Sequence, residues 1–364
     1  MNKIEKEGKI AFCTTCMNRL EHLQQTLEKN IQDNYLKGQV EFVLLDYNSQ
    51  DGLEDWVSNN MRKYIDDGIL VYYKATEPTH YLRSHSRNMA FRLANADVLC
   101  NLDADNFLGN GFAEFMLDEF SRQAGIFYST NRSFDGTYGR ICVRSDDFLL
   151  IRGYNESLQG WGFEDNDFYY RFLLQGIKPM SFHNPKFYHY IEHPDKERVT
   201  DEYLYKNLSE MFIAYINPFT SSIFLLLENH TIVQYIFINN QHLNILTDYS
   251  KKTKPLFDDR DRIIVHKKNL KGTWKKEKNV IIIIYNGNQY ILDKEISCFE
   301  YNSISFYNVQ DDTLKIKILL LLTAGINYNK AKKQYTNNLI VNPNGFGKGY
   351  VYKNFDFSNK VILS

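Results

Sequence analysis

The feature that most constrains this chain is an alternation of short apolar runs with segments of helical spacing. Residues 9–14 (KIAFCT) read as a strand. Asn18 then stands ahead of Leu20, Leu23 and Leu27, which recur at helical intervals behind a capping side chain. Residues 41–45 (EFVLL) read as a second strand ending at Asp46, and Asn48-Ser49-Gln50-Asp51-Gly52 is turn chemistry. A helix is expected around 53–65, a strand over 69–73 and a helix over 84–94. Residues 97–102 (DVLCNL) read as a buried strand that runs into Asp103-Ala104-Asp105. Strands and helices in this order build an α/β domain, a mainly parallel sheet with helices on both faces. Ligands of such sheets bind beyond the carboxyl ends of the strands. Asp46 and Asp103 both sit at such ends, so two polar clusters are expected to converge on one cleft.

A chain of 364 residues has room for a second domain. After Phe224 the character changes to strand-like runs at 233–238, 262–266, 280–285, 289–292, 303–307 and 314–322. Turn signals separate them, among them Asn239-Asn240, Asn286-Gly287-Asn288 and Asp311-Asp312. The expected organisation is a catalytic domain over 1–224 and a smaller all-β accessory domain over 225–364, of sandwich or barrel type. No catalytic cluster is visible in the second part. Its lysine-rich stretches (Lys251, Lys252, Lys254; Lys275, Lys276, Lys278) read as solvated loops.

Charge and cysteine usage exclude several classes. Lys plus Arg (43) nearly balance Asp plus Glu (44), so no broad basic field is expected, which argues against a dedicated nucleic-acid binder and leaves room only for a local basic patch. The five cysteines, Cys13, Cys16, Cys100, Cys142 and Cys298, are odd in number and scattered, unlike a disulfide framework. Cys13 and Cys16 form a C-x-x-C with no second pair to complete a zinc site. The charged stretch 1–9 has no apolar segment of signal-peptide type. No apolar run approaches the ~20 residues of a membrane span. The expected compartment is the cytoplasm, with room for peripheral association with a membrane.

Two acidic runs carry the chemistry. Asp103-Ala104-Asp105 places two carboxylates just beyond a strand. Hard divalent cations take oxygen ligands and commonly bridge a protein carboxylate to a substrate phosphate. A departing nucleoside diphosphate gathers negative charge that such a cation stabilises. Gly160-Trp161-Gly162-Phe163-Glu164-Asp165-Asn166-Asp167 packs three acids behind two glycines and a tryptophan. The apolar residues that follow suit a helix, whose N-terminus favours carboxylates on electrostatic grounds alone. One of these acids is also suited to take a proton from an attacking hydroxyl. The glycines would let an acceptor approach closely, and Trp161 offers an apolar face to a sugar ring.

Five stretches occur in a set order: Asn18-Arg19-Leu20-Glu21-His22-Leu23; Ser86-Arg87-Asn88-Met89-Ala90; Leu102-Asp103-Ala104-Asp105; Gly153-Tyr154 with Gly160-Trp161-Gly162-Phe163-Glu164-Asp165; and Glu192-His193-Pro194-Asp195-Lys196. In this order they resemble the β-1,4-galactosyltransferases and the related bacterial family-2-like glycosyltransferases, over roughly residues 9–200. The resemblance implies a GT-A fold, a UDP-sugar donor, Mn²⁺ (or Mg²⁺) and inversion at the anomeric carbon. It implies that Arg19 and Arg87 contact the diphosphate and that Asp46 lies near the uridine. Thr14, Asp103 and Ala104 complete the implied nucleotide-sugar site. Asp105 and His193 are the implied metal ligands, with Asp103 and His189 as alternatives. Asp165 is the implied base, and Trp161, Gly162 and Glu164 the implied sugar-binding residues. The chain departs from the family where Tyr190 replaces a methionine ligand and Tyr47 replaces the second acid of the common turn.

The expected activity is transfer of a hexose or N-acetylhexosamine to a glycan or glycolipid acceptor, as in surface polysaccharide synthesis. Two other readings stand beside it. A sugar-nucleotide nucleotidyltransferase would need a glycine-rich phosphate loop, where this chain reads Thr14-Thr15-Cys16-Met17-Asn18-Arg19. A non-catalytic glycan binder would use aromatics of the β-rich part, such as Trp274.

Overall fold

The computed structural model describes residues 8–130, 135–239, 263–268, 272–277, 280–293 and 298–364. Lys251, Lys252, Lys254, Lys278, Asn240 and Arg262, and most of the charged N-terminal stretch, lie outside the described residues. The chain forms two compact units. The first comprises 1–159, 164–193 and 340–364; the second comprises 160–163 and 194–339.

The first unit begins β1 (Ile10–Cys16), α1 (Leu20–Asn34), β2 (Val40–Tyr47), α2 (Leu53–Asn60), α3 (Arg62–Asp66) and β3 (Leu70–Ala75). It continues α4 (Arg83–Leu93), β4 (Val98–Asn101), α5 (Phe112–Arg122), β5 (Ile126–Ser129), β6 (Ile141–Arg144), α6 (Ser145–Leu150), α7 (Glu164–Leu174) and β7 (Lys178–Ser181). The second unit contains α8 (Asp195–Val199), α9 (Tyr203–Lys206), β8 (Leu208–Asn217), β9 (Thr220–Leu227), β10 (Ile232–Asn239), β11 (Ile263–Lys268) and β12 (Gly272–Glu277). It is completed by β13 (Val280–Tyr285), β14 (Asn288–Asp293), β15 (Cys298–Tyr301), β16 (Ile304–Asn308) and α10 (Asp312–Thr336). The chain then returns to the first unit as β17 (Gly349–Lys353) and β18 (Asp356–Leu363).

The first unit has the expected α/β class, built on a nine-stranded sheet in the order β18-β17-β3-β2-β1-β4-β6-β5-β7. Its centre, β3-β2-β1-β4, is parallel, while β6 and β17 run antiparallel to their neighbours. The sheet is therefore mixed. Period-2 alternation explains why the central strands read as unbroken apolar runs. Ile10 and Phe12 enter a core with Leu23, Leu27 and Phe112 of α1 and α5. Ala11 and Cys13 enter the opposite core with Met89 and Phe91 of α4 and Phe168 and Phe172 of α7. Cys13 and Cys16 thus point into different cores, which rules out joint ligation of a metal. Burial pushes both thiols up, Cys13 far above the ordinary range.

Three sequence expectations are corrected in the second part of the chain. The expected boundary at 224/225 falls inside β9, which pairs with β8 from Leu208 onward. The last residues also add two strands to the first unit, because β17 pairs with β3. The run 314–322 is part of a 25-residue helix, since a continuous apolar run suits a buried helix as well as a strand. Asp311 caps α10 by accepting from the Leu314 N–H at 2.7 Å. The second unit is accordingly a six-stranded antiparallel sheet with a three-stranded sheet and one long helix. Phe212, Phe224, Trp274, Ile283 and Phe306 fill the core shared by the two sheets. Met211, Ile223 and Leu225 pack with Ile318, Leu319 and Leu322 of α10. Trp274 is 5% exposed and its indole N–H donates to the Leu227 carbonyl at 2.8 Å, so it is core and not a sugar platform. Among the described residues no helix is long and apolar enough to cross a membrane.

Candidate active site

The parallel centre places the carboxyl ends of β1, β2 and β4 side by side, with Cys16 paired to Asp46 in register. The loops that follow are stitched together. The Asn18 N–H donates to Ser49 Oγ at 3.1 Å, the Gln50 N–H to Asn18 Oδ1 at 2.7 Å, and the Leu20 N–H to Asp51 Oδ2 at 2.8 Å. Asn18 and Asn48 both have positive φ, which asparagine tolerates better than most residues. Arg19 stands at the start of α1 behind this turn. Thr14 is buried within β1, and Ala104 offers its carbonyl to the Thr26 hydroxyl at 2.7 Å.

Asp46 does not reach this surface. It is fully buried, and its oxygens accept from the Ser49 N–H at 2.7 Å, the Tyr72 hydroxyl at 2.8 Å and Lys74 Nζ at 3.2 Å. The nucleotide contact expected of Asp46 has no exposed oxygen to use; the carboxylate instead ties the 48–51 turn to β3. Burial and the Asp46 charge push the Tyr72 hydroxyl far above its ordinary range, so it remains a donor. We expect Tyr72→Phe to lower stability by about 1–3 kcal/mol in urea unfolding, the cost of an unmade buried hydrogen bond. An unchanged urea midpoint in Tyr72→Phe would mean that this buried bond does not help to hold the turn.

Arg87, on α4, is the centre of the site. Its Nη1 donates to Asp165 Oδ1 at 2.7 Å and its Nη2 to Asp103 Oδ1 at 3.1 Å. Glu164 Oε1 lies 3.7 Å from Arg87 and 3.4 Å from Arg83, one turn earlier on the same helix. The Tyr154 ring lies under the guanidinium at 5.4 Å. Two acidic runs about sixty residues apart in the chain thus meet on one cation. Their protonation is pushed in opposite directions. Burial pushes Asp103 up, but the charge of Arg87 and hydrogen bonds from Asn101 and Arg87 hold it below the ordinary carboxylate range. For Asp165, burial outweighs Arg87, and the charges of Glu164 and Asp103 add to it, raising the group to about 7. Carboxylates separated in this way take different roles in acid–base chemistry. Oε2 of Glu164 is buried with no hydrogen-bond partner, an acceptor suited to a hydroxyl.

Asp105 and His193 come together at the other side of the D-x-D. His193 Nε2 lies 3.0 Å from Asp105 Oδ2, and the other oxygen of Asp105 accepts from Asn106 Nδ2 at 2.8 Å. Asn106 is in turn held by Arg140, whose Nη2 donates to its Oδ1 at 3.0 Å. The His22 ring lies 5.4 Å from that of His193. Among the described residues no group of three His, Cys, Asp or Glu is arranged to hold a metal. One carboxylate and one imidazole nevertheless fit a hard divalent cation that keeps water and takes substrate phosphate oxygens. Asp103 faces Arg87 and Asn101 instead. His189 is exposed and lines a separate groove with Lys29, Asp33 and Phe107. Tyr190 pairs through its backbone with Asn106.

The glycines before Glu164 have a different reason from the one expected. A Cβ on Gly160 would stand 2.7 Å from Thr323 Cγ2, and one on Gly162 would stand 2.8 Å from the Ala324 Cβ. Both residues also have positive φ. It is α10 that approaches here. Trp161 packs with Val199, Ile316 and Leu320, and Arg198 lies over its ring at 5.9 Å.

Several residues of the site escape sequence reasoning. Gly139 abuts the cluster: a Cβ there would meet Asp103 Oδ2 at 2.7 Å and Arg87 Nη2 at 3.1 Å. Asn101 bridges Asp103 and the Gly139 carbonyl. Neither carries a sequence signal. Arg83 does, four residues before Arg87 on one helical face, and His22 lies within the segment already singled out.

Comparison with known proteins follows the same residues. Residues 121–197 match the family model described as the N-terminal domain of galactosyltransferase. The chain therefore contains a glycosyltransferase-family domain, and the matched stretch includes Glu164, Asp165 and His193. Chondroitin sulfate synthase 3 of Mus musculus and of Homo sapiens are each 36% identical over 61 residues, 17% of this chain and 6% of theirs. The similarity thus spans a small part of those proteins' length. Among solved structures, the mannosyltransferase PcManGT from Pyrobaculum calidifontis, in complex with GDP-Man and Mn²⁺, aligns with TM-score 0.42 at 16% identity, over 49% of this chain and 55% of that one. S. aureus TarS 1-349 aligns with TM-score 0.43 at 14% identity, over 52% and 61%.

Proposed function

We propose that this chain is an inverting glycosyltransferase that moves a hexose or N-acetylhexosamine from a UDP-sugar to a hydroxyl of a glycan or glycolipid acceptor, in surface polysaccharide synthesis. The observation that carries the reading is the single guanidinium of Arg87 joining Asp103 to Asp165. It unites the D-x-D with the acids of the galactosyltransferase-family segment around one buried guanidinium.

Asp165 is the base in this reading. Its Oδ1 is held by Arg87, and the carboxyl accepts the proton of the acceptor hydroxyl as that oxygen attacks the anomeric carbon. Arg87 and Arg19 face the donor diphosphate, with Thr14 and Ala104 at the backbone of the same strand ends. Asp105 and His193 would hold Mn²⁺ or Mg²⁺, which when bound stabilises charge on the departing UDP. Glu164, with one oxygen unpartnered, receives a sugar hydroxyl, and Trp161 and Gly162 precede it in the same loop.

The test is UDP release from a panel of UDP-sugars, with and without Mn²⁺, by wild type and Asp105→Ala. Metal-dependent release from one donor, lost in Asp105→Ala, is the expected outcome. A wild type that neither releases UDP nor binds it in a metal-dependent way would overturn the proposal.

A further inference from the structure

Residues 160–163, among them the expected sugar-binding Trp161 and Gly162, belong to the second unit. The chain departs after Gln159, spends 160–163 in the second unit and re-enters the first at Glu164, the first acid of the cluster. Helix α10 holds this excursion by its backbone. The Thr323 hydroxyl donates to the Trp161 carbonyl at 2.8 Å, and Asn327 Nδ2 donates to the Gly162 carbonyl at 2.8 Å. Glu202 accepts the Trp161 N–H at 3.1 Å. Thr323, Asn327 and Glu202 are all buried and Trp161 and Gly162 are half-buried, so leaving one of these bonds unmade is costly. Phe163 packs edge-on against the Tyr328 ring at 5.3 Å. Gly160 and Gly162 are pressed so close to Thr323 and Ala324 that neither admits a side chain.

We infer that Thr323 and Asn327 of α10 are positioning residues for the loop 160–163, which carries Trp161 and runs directly into Glu164-Asp165 along the chain. The inference rests on the glycosyltransferase reading for its effect on activity, but the anchoring can be tested without it. The two bonds fix consecutive carbonyls, those of Trp161 and Gly162. They therefore set the path of the backbone immediately ahead of the base. Glu202 holds the same loop from its N–H side, so the loop is gripped from two elements.

Thr323→Val keeps the shape of the side chain and removes the donor; Thr323→Ser keeps the donor. Asn327→Leu removes the second bond. Each variant is assayed in the full chain for amide hydrogen exchange over 160–165, for UDP and Mn²⁺ binding, and for kcat and KM with the UDP-sugar that the wild type consumes. Faster exchange over 160–165 is expected in Thr323→Val and Asn327→Leu, with wild-type exchange in Thr323→Ser. Misplacement of a reacting group by an ångström costs up to about 10²-fold, so kcat should fall about tenfold or more in the first two variants. UDP affinity should stay within about twofold of wild type, because the loop lies outside the diphosphate contacts. Thr323→Ser should recover kcat. Unchanged exchange in Thr323→Val and Asn327→Leu would overturn the anchoring whatever the activity. A parallel loss of UDP binding and kcat would reduce α10 to general stability and overturn the positioning role. No UDP release by the wild type would remove the activity half together with the reading beneath it, leaving exchange to decide the anchor.

Discussion

Asp165→Asn is expected to lower transfer by about 10²–10⁴-fold, the usual contribution of a positioned proton acceptor. UDP binding should change little, because the amide oxygen still accepts from Arg87 and Asp103 keeps its own bond to the same guanidinium. The pH profile is a sharper check. Asp165 titrates near 7 by virtue of its burial and of the acids around it, and it must be ionised to accept a proton. Transfer should therefore rise about tenfold per pH unit below 7 and level off above it, since the ionised fraction grows in that proportion. The Asn variant should show residual activity without that limb. A wild-type profile flat from pH 5 to pH 8, or an Asn variant with unimpaired transfer, would remove Asp165 from the role of base. Because Glu164 stands beside it, a Glu164→Gln variant that loses the limb while Asp165→Asn retains it would move the role to Glu164.

How much of this was readable in advance depends on the range of the interaction concerned. The strands of the parallel centre were legible because each is buried on both faces, so their runs are apolar without interruption, as in Ile10–Phe12 and Phe42–Leu45. The pairing of Asp105 with His193 came from motif order, since 88 residues separate them and no local rule joins them. Asp46 looked like a ligand because it ends a strand. What assigns it elsewhere is Tyr72 and Lys74, which only the β2–β3 register brings beneath it. The glycines of the tryptophan loop advertised a close approach correctly but not its partner. α10 was itself hidden, because Leu319-Leu320-Leu321-Leu322 fits a strand or a buried helix equally well by pattern. The return of 349–363 to the first sheet was invisible for a similar reason: these strands look like any other hairpin, and β3 lies more than 270 residues away in sequence.

Arg87→Met should be the most disruptive single change in the first unit. The side chain is 4% exposed and serves Asp165, Asp103 and Glu164 together. Removing one partner of a buried ionic group leaves uncompensated charge and costs about 3–5 kcal/mol. The pH dependence carries the sign. Asp103 is held below the ordinary carboxylate range in the folded protein, so its contribution to stability is present above the ordinary value and is lost as pH falls through the folded one. Arg87→Met removes that contribution. Its deficit against wild type in urea unfolding should be largest near pH 8 and shrink on acidification, as the orphaned acids take up protons. Arg87→Lys separates charge from geometry. An ammonium is a point charge and does not span two carboxylates as the planar guanidinium does. The lysine variant should recover part of the stability while transfer stays impaired, because Asp103 and Asp165 are no longer held by a common fork. A lysine variant with wild-type transfer would mean that charge alone organises the site, and the two acidic runs would then have no need to meet on one side chain.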